Sequence, residues 1–172
     1  MIKDSEECFE DLAKSYPELI EKSQCDESLG VDVGWFNIID ALCGSICQPL
    51  TTAKSRLKAA IEYPRNENGK YIAECTERYN KELEALPIIT TIKEKFAGLR
   101  VYVENSNDRV DALIGMASLL ARHTCEVCGK PGELDDTTGW MKIHCKDHFG
   151  GSEYSDELQE GKVSPIFQDD ET

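Results

Sequence analysis

The chain has 172 residues, of which 30% are charged, and a formal net charge of −14 at pH 7. That length accommodates one ordinary hydrophobic core, and a charge this negative opposes binding to nucleic acid, whose phosphates need clustered Lys and Arg. No apolar run reaches the roughly eighteen residues of a membrane span, and the acidic start, MIKDSEECFE, is unlike a secretory signal. The expectation is a cytoplasmic protein with reduced cysteines, no membrane partner, and a protein with a basic surface as the favoured class of partner.

Residues 4–24 have helical spacing, with Cys8, Phe9, Leu12, Ala13 and Tyr16 on one side, and Pro17 interrupts them and restarts a second short helix. Residues 26–32, DESLGVD, read as a loop. The stretch GWFNIIDALCGSIC is the strongest core helix, because Trp35, Ile38, Ile39, Leu42 and Ile46 share one face. Gln48-Pro49 is expected to close it, with TTAKSRLKAAIEY starting another helix behind a Thr cap and ending at Pro64. RNENGK reads as a turn, and YIAECTERYNKELEAL resumes helical spacing, so that the two flanking segments form a helical hairpin.

Beyond Pro87 the period changes. Residues 88–95 and 99–103 read as a β-hairpin around Phe96-Ala97-Gly98, with Phe96 packed inward. Asn107-Asp108 then caps a helix, DRVDALIGMASLLARH, that buries Val110, Leu113, Ile114, Ala117 and Leu120. From Gly150 the chain is poor in large apolar residues. It reads as an acidic flexible tail in which Val163, Ile166 and Phe167 form an apolar island that docks either on a partner or on the protein itself.

The helix delivers the chain to CEVCGKPGELDDTTGWMKIHCKDH, where the chemistry is most explicit. Cys125 and Cys128 are spaced to converge on one ion, Gly129 lets the backbone turn around it, and Cys145 and His148 repeat the spacing. The C-x2-C-x16-C-x2-H pattern fills the four positions of tetrahedral Zn2+, one structural ion per chain, and leaves none for water. His144 stands beside Cys145, but the C-x2-H spacing favours His148. Pro131-Gly132 reads as a turn, and Gly139-Trp140 followed by Met141 and Ile143 as a short strand. Cys43 and Cys47, at i and i+4, lack a second ligand pair and read as small core hydrophobes.

The expected fold is therefore α+β: a mostly helical small domain with a β-hairpin and a C-terminal zinc-knuckle or ribbon-like unit. Residues 1–124 form the core domain, residues 125–149 the zinc-binding unit packed on it, and residues 150–172 the tail.

In order along the chain, Gly34-Trp35, KEKFAGLR over residues 93–100, Asp108-Arg109 and the cluster from Cys125 to His148 resemble a set of small phage and prophage proteins. These carry a Gly-Trp helix, a KEKFGGLR-type hairpin, a helix opening with Asp-Arg and a C-terminal cysteine cluster; Ala97 stands here where they have Gly. The resemblance spans residues 15–148 and implies a phage origin and a host bacterial cytoplasm. It supplies no activity, because none is established for that family.

Function is therefore argued from the residues. The first expectation is a non-enzymatic, zinc-binding interaction protein of phage that binds and inhibits a host protein such as a defence or nucleic-acid enzyme. Its acidic ends would steer it to a basic surface: residues 1–50 carry eleven acidic and three basic side chains, and residues 151–172 seven and one. Acidity that serves only solubility is the plainer explanation. The alternative is a zinc-containing nucleic-acid-binding or regulatory protein that uses Lys93, Lys95 and Arg100 as anion or partner contacts; the plain reading of those three is the solvated face of a hairpin. An enzyme is disfavoured, since no H-x-E deaminase signature, nuclease ligand set or catalytic carboxylate pair can be assigned.

Overall fold

The computed structural model describes residues 4–25, 29–63 and 68–151. Their architecture is α+β and mostly helical, with two small antiparallel strand pairs. Helix α1, Ser5–Ser15, opens with a capping box in which Asp4 and Glu7 satisfy one another's backbone N–H groups. Helix α2, Pro17–Lys22, restarts with Pro at its first turn, where no intrahelical N–H is required. Its Lys22 ammonium reaches the carbonyls of Leu83 and Leu86 (both 3.1 Å) and so caps the end of a later helix.

A single 3-10 turn, Val33–Trp35, leads into helix α3, Phe36–Glu62. This corrects the sequence-based expectation of two helices separated at Gln48-Pro49. Pro49 lies inside one helix of 27 residues, about 40 Å long. Proline removes the N–H that would bond the carbonyl four residues back, here that of Ser45. The Arg109 guanidinium donates to that carbonyl instead. Thr52 also bonds back to the Gln48 carbonyl at 2.9 Å, so the turn containing the proline keeps its polar groups occupied. The end of α3 behaves as expected: Tyr63, before Pro64, leaves the helical region at φ −122°, ψ 70°.

Helix α4, Asn68–Glu84, packs along α3, so the helical hairpin forms, although Asn68, Gly69 and Lys70 join the helix where a turn was expected. Strand β1, Ile88–Glu94, then pairs with β2, Leu99–Glu104, with a bulge at Thr90. The other edge of β1 is covered by the segment before α3: Gln24 N–H bonds the Ile89 carbonyl, and Gly30 exchanges bonds with Ile92 and Glu94. Coverage of this kind removes an edge that would otherwise recruit another strand. Helix α5, Asp108–Ala121, is capped by Asn107, whose carboxamide oxygen accepts from the N–H groups of Arg109 and Val110. Short strands β3, Glu133–Asp135, and β4, Lys142–His144, complete the sheet inventory.

One apolar cluster joins these elements through Leu12, Leu19, Trp35, Ile39, Leu42, Ile46, Leu50, Ile89, Ile92, Leu99, Val110, Ala117 and Ile143. Cys43 and Cys47 belong to it as expected of small hydrophobes, and burial pushes their thiols up to about 12 and about 11. Two expectations fail. Leu120 projects outward, because the buried stripe of α5 runs through Val110, Ala117 and Ala121. Phe96 is 68% exposed, and Ala97 is the residue that turns into the core. Loop residues 26–28 lie outside the described residues, as do residues 64–67 and, of the acidic tail, residues 152–172 with the apolar island. Among the described residues no helix is long and apolar enough to cross a membrane.

The link between Pro49 and Arg109 has a measurable consequence. Arg109→Met should cost about 1 kcal/mol in denaturant unfolding, a typical net hydrogen-bond contribution. In a Pro49→Ala background, where an N–H again reaches the Ser45 carbonyl, that cost should shrink toward zero. Equal costs in both backgrounds would mean that Arg109 does not stand in for the missing donor.

Candidate metal centre

The stretch that carries Cys125 and Cys128 is fixed to the core by hydrogen bonds to its backbone. The Thr124 carbonyl accepts a bond of 2.7 Å from the Trp35 indole N–H, and the Glu126 carbonyl accepts one of 2.8 Å from the Gly34 N–H. Gly34 is required by this approach. A Cβ built there would lie 2.3 Å from the Cys125 carbonyl oxygen and 2.5 Å from that of Glu126. Gly129, at φ +74°, turns the chain after Cys128, and its N–H bonds the Cys125 carbonyl at 2.9 Å. Pro131-Gly132, expected as a turn, instead runs back beside His123-Thr124. A bridge between Thr124 and Pro131 closes the loop that carries the first cysteine pair.

The second pair follows β4. The expected strand from Gly139 is shorter than predicted: Gly139, at φ +84°, and Trp140 belong to the turn between β3 and β4, while Lys142, Ile143 and His144 form the strand. The short 3-10 turn Phe149–Gly151 lies just beyond His148. Cys145 and His148 are thereby brought against Cys125 and Cys128, and the four ligand atoms all lie within 4.8 Å of one another. Cys125, Cys145 and His148 are buried, and Cys128 is half-buried. This set could hold a metal ion.

Three of its edges can be set against those of a tetrahedral ion. Tetrahedral zinc with Zn–S near 2.3 Å and Zn–N near 2.05 Å has ligand–ligand edges of about 3.5–3.8 Å. The Nδ1 atom of His148 lies 3.4 Å from the Cys125 sulfur and 3.3 Å from that of Cys145, and the Cys128 and Cys145 sulfurs are 3.6 Å apart. Desolvation pushes the Cys128 thiol up to about 12. Cys145 is held below the usual thiol range: burial opposes this, but the backbone N–H groups of Asp147 and His148 and the neighbouring thiols outweigh it. As thiolates gathered in a desolvated site, these sulfurs would need a compensating cation.

His144 is excluded from the set by its own partner. Its Nδ1 lies 2.8 Å from Asp135 Oδ2, and Asp135 is buried. That carboxylate also accepts from the Thr137 N–H and hydroxyl and from the Gly150 N–H. These bonds, led by those from Thr137 and then His144, hold the carboxyl well below its usual range. Asp135 thus ties β3, β4 and the chain after His148 around the ligands without touching them.

Sequence reasoning missed a second acidic residue. Glu126 stands between the first two cysteines and is fully buried. One carboxylate oxygen lies 3.0 Å from the Lys142 ammonium and the other accepts from the Ile143 N–H at 3.2 Å. Burial raises its pKa, opposed by Lys142. Lys142 also lies 3.5 Å from Glu94 of β1. The pair thus links the metal unit to the hairpin. No periodicity marks a Glu beside two cysteines as buried; only the register of β4 against the knuckle would have revealed it.

Of the remaining candidates, Lys93 and Lys95 are exposed. Arg100 is half-buried, and its guanidinium folds over the hairpin turn, 3.5 Å from the point where a Cβ on Gly98 would lie. Lys93 is directly opposite Arg100 in the β1–β2 register. The Lys93 ammonium sits 5.4 Å from the centre of the Tyr102 ring, and that of Lys95 sits 5.3 Å from the Phe96 ring. No carboxylate among the described residues forms an ion pair with any of the three. They do not join the metal centre; they form a separate basic and aromatic tip.

The contact at Gly34 predicts that Gly34→Ala destabilises the protein by about 2–3 kcal/mol through overpacking, with the loss expressed as a displaced metal unit. Denaturant unfolding followed by far-ultraviolet dichroism would measure the cost. Wild-type stability in the variant would show that the knuckle does not rest on Gly34. Comparisons of the chain with protein-family models, with curated proteins and with solved structures find no match.

Proposed function

We propose that the chain is a structural zinc protein that works by contact and not by catalysis. The observation that carries this reading is the closed Cys125, Cys128, Cys145 and His148 set, whose spacing suits a tetrahedral ion with no position left for water. When bound, zinc would neutralise the thiolates and join the two ligand pairs, supplying much of the free energy that folds this short unit. The resemblance to phage proteins and the acidic ends favour a host protein as the partner, one with a basic surface whose activity is inhibited on binding.

A second reading has one observation in its favour. Like charges directly opposite across a strand pair are unfavourable, yet Lys93 faces Arg100 beside an exposed Phe96. An anion at the hairpin tip would relieve that repulsion, and an aromatic among cations is the arrangement that stacks on single-stranded nucleic acid. The net charge of −14 weighs against this reading, because phosphates approaching the chain meet repulsion from most of its surface.

Protein purified without chelator should contain one zinc per chain by elemental analysis, and Cys145→Ser should lose it. In a Trp140→Phe background, which leaves Trp35 as the sole indole, chelation should shift emission to the red as the Thr124 contact loosens. Absence of stoichiometric zinc would overturn the metal assignment.

The two partner readings separate in a titration of labelled single- and double-stranded DNA at about 150 mM salt. Binding should be weak for the wild type and for Lys93→Glu and Arg100→Glu alike. Tight wild-type binding abolished by those substitutions would put the nucleic-acid reading first.

A further inference from the structure

The hairpin tip carries more positive charge than the described residues around it neutralise. Lys93 and Arg100 are directly opposite one another across β1 and β2, Lys95 opens the turn beside them, and Phe96 stands exposed at its crest. The neighbouring acids are engaged elsewhere or too far away. Glu94 is taken by Lys142 and the Ala97 N–H, and the charge of Asp32 acts on Lys142 and Glu126. Glu104 shares the outer face of β2 but lies four residues from Arg100, about 13 Å along the strand. Like charges held opposite one another favour the approach of an acidic group.

The described chain ends close to that tip. The Gly150 N–H bonds the Asp135 carboxylate at 2.8 Å, Asp135 is the register partner of Lys142, and the Lys142 ammonium is 3.5 Å from Glu94, which lies between Lys93 and Lys95. The sequence beyond Gly151 opens SEYSDELQE. In it Glu153, Asp156, Glu157 and Glu160 are acidic, no residue is basic, and Tyr154 and Leu158 supply apolar surface. Residues 152–160 can span up to about 30 Å.

We propose that residues 153–160 dock on the hairpin tip of their own chain, with their four carboxylates set against Lys93, Lys95 and Arg100 and their apolar side chains covering Phe96. Individual exposed ion pairs are weak, but tethering presents the segment at an effective concentration on the order of millimolar, so several such pairs suffice. This segment is favoured over Asp169, Asp170 and Glu171 because it follows Gly151 directly, and a shorter tether gives the higher effective concentration. The docked segment withholds the tip from other anions, and a basic partner surface must displace the tip to engage these four carboxylates. The contact is internal to the chain, so it stands or falls independently of the partner.

Amide NMR of the nitrogen-labelled full chain tests it. In about 20 mM salt, where exposed charges are little screened, neutralising the segment as Glu153→Gln/Asp156→Asn/Glu157→Gln/Glu160→Gln should shift the signals of Lys93, Lys95, Phe96 and Arg100. Neutralising the tip as Lys93→Gln/Lys95→Gln/Arg100→Gln should shift those of residues 153–160. Raising the salt to about 500 mM should move the wild-type signals toward the positions seen in the variants. Unchanged signals of the buried Trp35 and Ile39 would confirm folding. The segment variant alters no described residue, so it decides the matter even if the tip variant does not fold. Asp169→Asn/Asp170→Asn/Glu171→Gln should leave the tip signals in place. Tip signals indifferent to the segment variant would overturn the proposal. Equally large shifts from the terminal variant would reduce the effect to general screening and overturn it too, as would shifts that grow with protein concentration, the mark of a segment supplied by a second copy.

Discussion

The space that a side chain at position 34 would occupy is filled by the backbone of Cys125 and Glu126. With no Cβ in the way, the Gly34 N–H reaches the Glu126 carbonyl, and the neighbouring indole of Trp35, fully buried in the core, reaches the Thr124 carbonyl. The two ligand-bearing loops are too small to bury a core of their own, and they gain their footing here. Zinc would close the unit from within, and the Gly34-Trp35 contact attaches it from without. Neither alone accounts for how Cys125 and Cys128 come to face Cys145 and His148.

A second attachment is electrostatic. Glu126 is fully buried beside Lys142, which also approaches Glu94. Burying a carboxylate is unfavourable unless its partners are in place; those of Glu126, the Lys142 ammonium and the Ile143 N–H, come from β4, and Lys142 in turn approaches Glu94 of β1. The arrangement therefore favours one placement of the hairpin relative to the metal unit. It also divides KEKFAGLR into two faces. Glu94, Ala97 and Leu99 point inward, while Lys93, Lys95, Phe96 and Arg100 are left to the outer side. Phe96 and Ala97 both adopt positive φ, 52° and 56°, where glycine is ordinarily preferred. The Glu94 carboxylate accepts the Ala97 N–H at 2.8 Å and supports that turn.

Helix α3 meets its own constraint by a long-range contact. Pro49 would ordinarily mark an end, yet Ile46 and Leu50 on either side of it are buried in the same cluster. Keeping both residues, which share one face, on the core favours continuation of the helix, and Arg109 takes the carbonyl that the proline leaves open. The Asp-Arg start of α5 thus serves the middle of α3, some sixty residues earlier in the chain.

The sequence alone determined the four clustered Cys and His residues, the helices at either end of the core, the β-hairpin and the α+β class, because each rests on local information: residue spacing, a capping residue or a short apolar period. Only the tertiary structure decided what depends on a partner far along the chain. Pro49 continues a helix because Arg109 and the core are present, Leu120 faces outward because α5 meets the core along Val110, Ala117 and Ala121, and Phe96 is expelled because Ala97 fits beneath the turn. Gly34, Glu126 and Asp135 are ordinary letters in the sequence. Their roles arise from close backbone approach and from buried hydrogen bonds, and such contacts are set by packing between segments that no local pattern encodes.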